Sequence, residues 1–409
     1  PARALYPNLR RLQFKAVFSI LSYICGLFTN AQTLAPRPNL FALAFPPAKD
    51  PLSASCPVPR LFFSKKKKRV CGDRVRARVG QGCGQGLCPC FLPKARNQTL
   101  CPDFVMTPDL LALHKTQKKY RRIGEYTQGL DGPLVIVLAG VHGNEPAGVD
   151  ALTELFHMLE REPLLNPGFT FCGKLIGLIG NTRAFQKRQR YLDKDLNRLW
   201  TPVNLHRIEQ TPEALLRNED AELRELNACI RCELIESRAE ALVLIDLHTT
   251  SAPDGIFAIP GDDPVSLRLA KEMHVPVMLG LLDGLEGTLL HHVSANRFEM
   301  GGFPRYSVGV AFESGQHDDP LSPSRAIAAV VNGLRAAGCI RDEDVDSRHS
   351  QLLREWSAQF PRVTRLRYAH HIRPGDGFCM RPGYANYQPV AQGEHLADDA
   401  EGPVLAPHA

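Results

Sequence analysis

The feature that most constrains the fold is an apolar run, PLVIVLAG at 133–140, which is bounded by glycine and followed at once by a helical pattern. A strand with no polar residue on either face is typically buried on both sides, as in a parallel sheet. The next segment, 146–162, opens with proline and places Leu152, Phe156 and Leu159 on one helical face. A buried strand that leads directly into an amphipathic helix predicts an α/β fold.

The same alternation continues along the chain. Further strands are predicted at 173–181, 241–249, 255–260, 276–280 and 307–315, and further helices at 218–237 and 324–338. We therefore expect an α/β domain at 106–362, built on a mixed, largely parallel sheet flanked by helices. Residues 363–409 are rich in Gly, Pro and short alternating runs, which predicts a small C-terminal β-rich domain.

Residues 1–105 differ in composition from the rest of the chain. They contain 17 of the 49 Lys and Arg residues, three acidic residues and seven of the 12 cysteines. The remaining 304 residues hold 32 basic and 40 acidic side chains. The net charge of +6 is therefore the sum of a basic segment, 1–105, and a mildly acidic segment, 106–409. We expect this Cys-, Gly- and Pro-containing extension to be disordered, or to be upstream sequence translated in frame before a native start at Met106.

Three other interpretations of residues 1–105 stay open. Cys83, Cys88 and Cys90 could bind a metal, although their spacing does not match a paired C-x-x-C. The run KKKKR at 65–69 could contact nucleic acid or direct nuclear import, although a solvated charge run is the simpler explanation. The segment RRLQFKAVFSILSYICGLFTNAQ has an apolar run of about 13 residues, which is the length of a signal-peptide core and too short to span a bilayer.

The later cysteines indicate a reducing compartment. They are scattered and odd in number: Cys172, Cys229, Cys232, Cys339 and Cys379. No later stretch of sequence reaches transmembrane length. We therefore expect a cytoplasmic protein that binds neither membrane nor nucleic acid, and a homo-oligomer is compatible with the sequence.

Three predicted strands each deliver a His or Glu where the strand ends. His142 and Glu145 follow the strand 133–140, His248 ends the strand 241–249, and Glu313 ends SVGVAFESG. Ligands of open α/β sheets gather at the carboxyl ends of the strands. We therefore expect these four side chains to lie together.

Three of these residues form a known set of zinc ligands. A catalytic zinc site takes three protein ligands, and two His plus one Glu is one such combination. His142 and Glu145 are separated by a glycine-containing turn, and His248 follows 103 residues after Glu145. Asp246 lies two residues before His248 and can orient an imidazole ligand. An isolated H-x-x-E or a core histidine is common, but their joint placement at strand ends favours one Zn²⁺ per chain.

Four motifs in this order resemble the succinylglutamate desuccinylase and aspartoacylase family: GVHGNEPAG, IGNTRAFQKRQRYLDKDLNRLW, IDLHTT and FESG. The resemblance covers about 133–320, and the tail from 372 is similar to the family's C-terminal β domain. It implies a zinc carboxypeptidase-like fold and hydrolysis of the amide bond of a small N-acyl amino acid.

The resemblance also implies a role for individual residues. His142, Glu145 and His248 correspond to the zinc ligands, and Glu313 corresponds to the general base that acts on the zinc-activated water. Arg190 matches the arginine that polarises the scissile carbonyl. Asn197 and Arg198 match a pair that grips a substrate carboxylate, for which the planar guanidinium is suited. From charge pattern alone, Arg190 and Arg198 would be surface residues paired with nearby aspartates.

The sequence departs from the family pattern at two places. The tail stops short of the family's last strands, so we expect a truncated C-terminal domain. The stretch before Glu313 aligns poorly, and Arg297 and Arg305 are weaker candidates for carboxylate binding.

Two alternative functions stay open: a zinc-binding homologue without catalytic activity, and a carboxypeptidase or esterase of the same fold.

Overall fold

The computed structural model describes residues 120–295, 306–373 and 375–408. The predictions for residues 1–105, and those for Arg297 and Arg305, lie outside these ranges. The strands are β1 Arg122–Thr127, β2 Leu130–Ala139, β3 Cys172–Ile179, β4 Ala241–Thr250, β5 Phe257–Pro260, β6 Val277–Leu279, β7 Tyr306–Gln316, β8 Val363–Arg365, β9 Cys379–Met380, β10 His395–Asp399 and β11 Gly402–Leu405. The α-helices are α1 Ala147–Leu165, α2 Thr182–Lys187, α3 Pro202–Gln210, α4 Asn218–Ser237, α5 Pro264–Glu272, α6 Leu289–Ala295, α7 Ser322–Ala336 and α8 Arg348–Trp356.

Eight of the described strands form one sheet in the order β1-β3-β2-β4-β7-β5-β6-β8. The β1–β3 and β5–β7 pairs are antiparallel and the other five pairs are parallel. The predicted α/β class with a mixed, largely parallel sheet is therefore confirmed. No helix in the described ranges is both long and apolar enough to cross a bilayer.

The central strands are buried on both faces, as their continuous apolar sequences predicted. In β2, Leu134, Ile136 and Leu138 point into one hydrophobic core, while the alternate residues point into a second core. The second core is covered by α1 and α7, and the first by α3, α4 and α6. Because both faces are buried, alternate residues of each strand face opposite layers. Asp246 and His248 alternate with the same spacing as Leu244, so they lie on the face of the first core.

The C-terminal part contains a second, small antiparallel sheet in the order β11-β10-β9. Strand β8 lies just after the predicted domain boundary at residue 363 but pairs with β6 at the edge of the large sheet. Tyr387 packs edge-on against Phe257, with ring centroids 5.9 Å apart. Asn386 donates hydrogen bonds to Thr250 and to the Asp254 carbonyl. The connection between β9 and β10 is thereby fastened beside the carboxyl end of β4.

Candidate metal centre and active site

The structure brings the three predicted metal ligands together. Their donor atoms all lie within 4.8 Å of one another, and all three side chains are buried. Glu145 lies between the two imidazoles, since its Oε1 is 2.9 Å from His142 Nδ1 and its Oε2 is 3.1 Å from His248 Nδ1. The Nδ1 atoms of both rings therefore point toward the same carboxylate.

A tight turn after β2 places His142 and Glu145 on the same side. The Glu145 amide donates to the His142 carbonyl at 3.1 Å. Gly143 lies between them, and a Cβ there would be 2.2 Å from the carbonyl carbon of Ala184. The turn therefore needs glycine because α2 packs directly on it. The Thr249 amide donates to Glu145 Oε2 at 3.0 Å and fixes the carboxylate from the β4 side.

An aspartate lies at the outer nitrogen of each imidazole. His248 Nε2 is 2.9 Å from Asp246 Oδ2, as the sequence predicted, and His142 Nε2 is 3.2 Å from Asp195 Oδ1. Such carboxylates set the tautomer and orientation of a metal-binding imidazole. The sequence did not single out Asp195, because the aspartates of this segment were interpreted only as partners of arginine. Its position two residues before Asn197 in the DLNR motif was the available signal.

The paired charges shift the pKa values of the cluster. Burial alone would raise the pKa of Glu145, but the imidazoles of His142 and His248 hold it well below its usual range. Burial opposes protonation of His248, yet the Asp246 and Glu145 carboxylates raise its pKa well above the usual value. The centre is an anionic pocket that attracts positive charge, whether a proton or a metal ion.

Glu313 lies beside this cluster. It is the register partner of His248 in the parallel β4–β7 pair, so the two side chains are on the same face of the sheet. The residue is 8% exposed. Its Oε2 atom is buried and has no hydrogen-bond partner among the described residues. Burial raises the pKa of Glu313 to about 7, although His248 acts in the opposite direction.

The three remaining predicted residues come from one segment after α2. Arg190 donates from Nη2 to Asp195 Oδ2 at 2.9 Å, and its Nη1 is 3.7 Å from Glu145 Oε1. Asn197 and Arg198 lie in a short 3₁₀ helix, Leu196–Arg198, which Asp195 caps by accepting from the Asn197 amide at 2.9 Å. Asn197 Oδ1 accepts a hydrogen bond from the Leu289 amide, at the start of α6.

All seven predicted site residues line one cavity of about 790 Å³, measured out to its open mouth. The lining includes His142, Glu145 and His248 together with Glu313 and the arginines. Thr249, Thr250 and Ser251 add hydroxyl groups, and Asn386 reaches the cavity from the C-terminal part. The arrangement combines a candidate metal site, a buried carboxylate and two guanidinium groups, which is a set of groups suited to hydrolysis of an anionic acyl compound.

The fold and the site define an α/β protein with a candidate mononuclear metal centre at the carboxyl edge of its sheet. Residues 131–297 match the family model described as the succinylglutamate desuccinylase/aspartoacylase catalytic domain. The succinylglutamate desuccinylase of Burkholderia cenocepacia is 42% identical over 276 residues, which are 65% of this chain and 72% of that protein. The chain therefore belongs to the succinylglutamate desuccinylase/aspartoacylase family.

Other relatives match over shorter stretches. A probable aspartoacylase from Nostoc sp. is 31% identical over 136 residues, which are 33% of this chain and 42% of that protein. The matched part of this chain thus spans about two fifths of the length of that relative. Among solved structures, the succinylglutamate desuccinylase from Chromobacterium violaceum is 18% identical, covers 68% of this chain and 87% of that chain, and has a TM-score of 0.42.

Proposed function

We propose that the protein is a zinc-dependent hydrolase that cleaves the amide bond of an N-acyl amino acid. The observation that carries the proposal is the convergence of His142, Glu145 and His248 on one point, beside a buried carboxylate with an unpartnered oxygen. The names of the matched relatives supply the reaction class, since desuccinylases and aspartoacylases remove acyl groups from amino acids.

Zn²⁺ is the metal that we propose, with one ion per chain. Two imidazoles and one carboxylate form a ligand set of catalytic zinc sites. The contacts at the outer nitrogens also support a metal at this site. Asp195 and Asp246 contact the Nε2 atoms of His142 and His248, so the Nδ1 atoms would be the metal donors. Bound there, zinc would lower the pKa of a water molecule toward about 7 and polarise the substrate carbonyl.

Glu313 is the general base in this proposal. Its Oε2 atom is buried and unpartnered among the described residues, so it can take a proton from the attacking water. A pKa of about 7 allows the same carboxyl group to return that proton to the leaving nitrogen. The reaction then consumes one water and releases a carboxylic acid and a free amino acid.

The arginines act on the substrate. Arg190 stabilises the negative charge that develops on the carbonyl oxygen, an effect worth about 3–4 kcal/mol for comparable donors. Asp195 holds this guanidinium in place through Nη2. The guanidinium of Arg198 and the side-chain NH2 group of Asn197 bind the carboxylate of the amino acid. A planar fork of donors such as guanidinium is well suited to this role.

The proposal is tested by a substrate panel offered to the full-length protein with zinc. The panel contains N-acetylaspartate, N-succinylglutamate, other N-acyl amino acids, short peptides and the matching esters, and the readout is free amino acid. We expect release that EDTA abolishes and added zinc restores. Release from peptides or esters alone would indicate a carboxypeptidase or esterase, and binding without release would indicate a non-catalytic zinc homologue.

A Glu313→Gln variant tests the base. We expect it to keep its zinc and to lose activity by about 10²–10⁴-fold, because glutamine has no basic oxygen at neutral pH. The matched control is Glu240→Gln, which changes an exposed residue just before β4. Full activity in Glu313→Gln would remove Glu313 from the reaction.

We also propose a cytoplasmic location. The cysteines after residue 105 are five and scattered, which is typical of an enzyme in a reducing compartment. Fractionation of source cells with an antibody against the folded protein tests the location. We expect the signal in the cytosol, and a signal in the medium or an exported fraction would contradict the proposal.

A further inference from the structure

The segment that follows α2, residues 188–195, carries two of the site residues and is here called the arginine loop. It contains Arg190 and Asp195 and forms neither helix nor strand. Two of its contacts reach the metal centre: Asp195 Oδ1 is 3.2 Å from His142 Nε2, and the Arg190 carbonyl accepts from the Gly143 amide at 3.2 Å. A loop without a regular ladder of backbone hydrogen bonds needs other partners for its amides if it is to hold one conformation.

One buried carboxylate binds the middle of the arginine loop. It belongs to Glu219, which lies in the first turn of α4 and is 1% exposed. Its Oε1 accepts from the Leu192 amide at 2.7 Å, and its Oε2 accepts from the amides of Asp193 and Lys194 at 2.9 and 3.2 Å. The Nδ2 group of Asn181 donates to Oε1 at 3.1 Å. An ionised carboxylate has about four acceptor positions, and four N–H groups occupy them here.

Asn181 connects Glu219 to the edge of the sheet that carries the metal ligands. Its side chain is buried, and its backbone amide donates to the Gly140 carbonyl at 3.0 Å. Its Oδ1 caps α2 by accepting from the Ala184 amide at 3.0 Å. Gly140 lies two residues before His142. The arginine loop, α2 and the turn that holds the metal ligands therefore belong to one buried hydrogen-bond network that passes through Glu219.

We infer that Glu219 is a positioning residue, which fixes the backbone of the arginine loop and thereby places Arg190 against the substrate and Asp195 against His142. The inference rests on the proposed function for the role of Arg190. Glu219 is not among the residues that line the cavity, so it acts through the loop. Its negative charge is favourable at this position, because the N-terminus of α4 and the loop amides present the positive ends of their dipoles.

Replacing Glu219 with glutamine disrupts these contacts without changing the size of the side chain. Each oxygen of Glu219 accepts from two donors, whereas glutamine has one acceptor oxygen and one NH2 group. In either orientation of the glutamine amide, two neighbouring N–H groups would face its NH2 group. The loop then has to move away from α4.

We expect Glu219→Gln to lower kcat by about 10–100-fold at saturating zinc, since displacing a catalytic group by about 1 Å can cost about 100-fold. KM should stay within about threefold, because Asn197 is held separately by the Leu289 amide. The zinc Kd should rise by about three- to tenfold, which is less than the 10–100-fold typical of removing a carboxylate behind a metal-binding imidazole.

Glu225→Gln is the matched control. It makes the same substitution on the same helix, but it breaks ion pairs with Arg121 and Arg183 rather than bonds to the arginine loop. It should lower the midpoint of chemical denaturation and leave kcat, KM and zinc Kd unchanged. An equal loss of kcat in both variants would assign the effect to stability and overturn the inference.

A double-mutant cycle with Arg190→Ala tests whether Glu219 acts through Arg190. In the Arg190→Ala background, Glu219→Gln should lower kcat by less than about threefold, because the guanidinium that it positions is absent. A loss of the same size in both backgrounds would contradict the inference.

Amide hydrogen exchange, measured by mass spectrometry with residue-level fragmentation, tests the contacts without any substrate. We expect slow exchange at Leu192, Asp193 and Lys194 in the wild type, and exchange faster by about tenfold or more at these amides in Glu219→Gln but not in Glu225→Gln. Fast exchange at these amides in the wild type would overturn the inference, and this result does not depend on whether the glutamine variant folds. If the wild type hydrolyses no compound of the substrate panel, the proposed function fails, and amide exchange with zinc Kd still decides whether Glu219 places Asp195 against His142.

Discussion

Replacing Asp195 with alanine should weaken zinc binding and catalysis together. The carboxylate makes three contacts: Oδ1 is 3.2 Å from His142 Nε2 and accepts from the Asn197 amide at 2.9 Å, and Oδ2 accepts from Arg190 at 2.9 Å. Loss of a carboxylate behind a metal-binding imidazole typically costs 10–100-fold in metal affinity. That range corresponds to about 1.4–2.7 kcal/mol.

The zinc affinity is measured by competition with a chromophoric chelator, and turnover is measured on the same preparations. We expect zinc Kd to rise by about 10–100-fold in Asp195→Ala. At saturating zinc, kcat should remain reduced because Arg190 has lost the group that positions it. Asp195→Asn keeps one acceptor oxygen, so its zinc Kd should fall between those of the wild type and the alanine variant.

Asp193→Ala is the matched control, since Asp193 is exposed in the same segment and contacts Asn218 at 2.6 Å rather than the site. It removes the same charge and should leave zinc Kd unchanged. Wild-type zinc affinity in Asp195→Ala would refute the idea that Asp195 orients His142. An equal loss in both aspartate variants would assign the effect to net charge.

Two further predictions concern stability and the ligand turn. Glu162 is 2% exposed, and burial raises its pKa to about 7 from an ordinary value of 4.5. Because the pKa of Glu162 is raised in the folded state, its protonated form stabilises the fold below pH 4.5, and this contribution is lost as the pH rises to 7. Chemical denaturation should therefore find Glu162→Gln more stable than wild type by about 2–3 kcal/mol at pH 7.5 and no more stable at pH 4.5. Glu160→Gln, at an exposed position, should show no such difference, and a pH-independent gain would contradict the reasoning. Gly143→Ala should lower zinc occupancy and reduce the free energy of unfolding by about 1–3 kcal/mol, because its Cβ would overlap α2. Gly168→Ala is the control, since a Cβ has room there. Equal stability and zinc occupancy in the two variants would contradict the need for glycine at position 143.

The central strands and the candidate metal ligands were predictable because each follows from a local sequence pattern. The run at 133–140 has no polar side chain to place in water, and His142, Glu145 and His248 follow apolar runs that end at the same sheet edge. Strand β1 was not predicted, since RIGEYT is largely polar and lies at the sheet edge. A half-solvated edge strand leaves a weaker pattern than a strand buried on both faces.

The features that depend on distant contacts were less accessible. Charge pattern alone would have paired Arg190 with an aspartate at the surface, and the structure does pair it with Asp195, but inside the cavity. Asp195 contacts a histidine 53 residues away in sequence, and no local periodicity reports such a contact. The cavity is likewise formed by residues from separate segments, so their convergence appears only in the folded chain.

Metal analysis of the purified protein tests the central claim most directly. Zinc is quantified per chain by mass spectrometry in the wild type and in His248→Ala, and activity is measured on the same samples. We predict about one zinc per chain in the wild type, and loss of both zinc and activity in the variant. Wild-type protein that is free of metal and fully active would contradict the claim that His142, Glu145 and His248 hold a catalytic zinc ion.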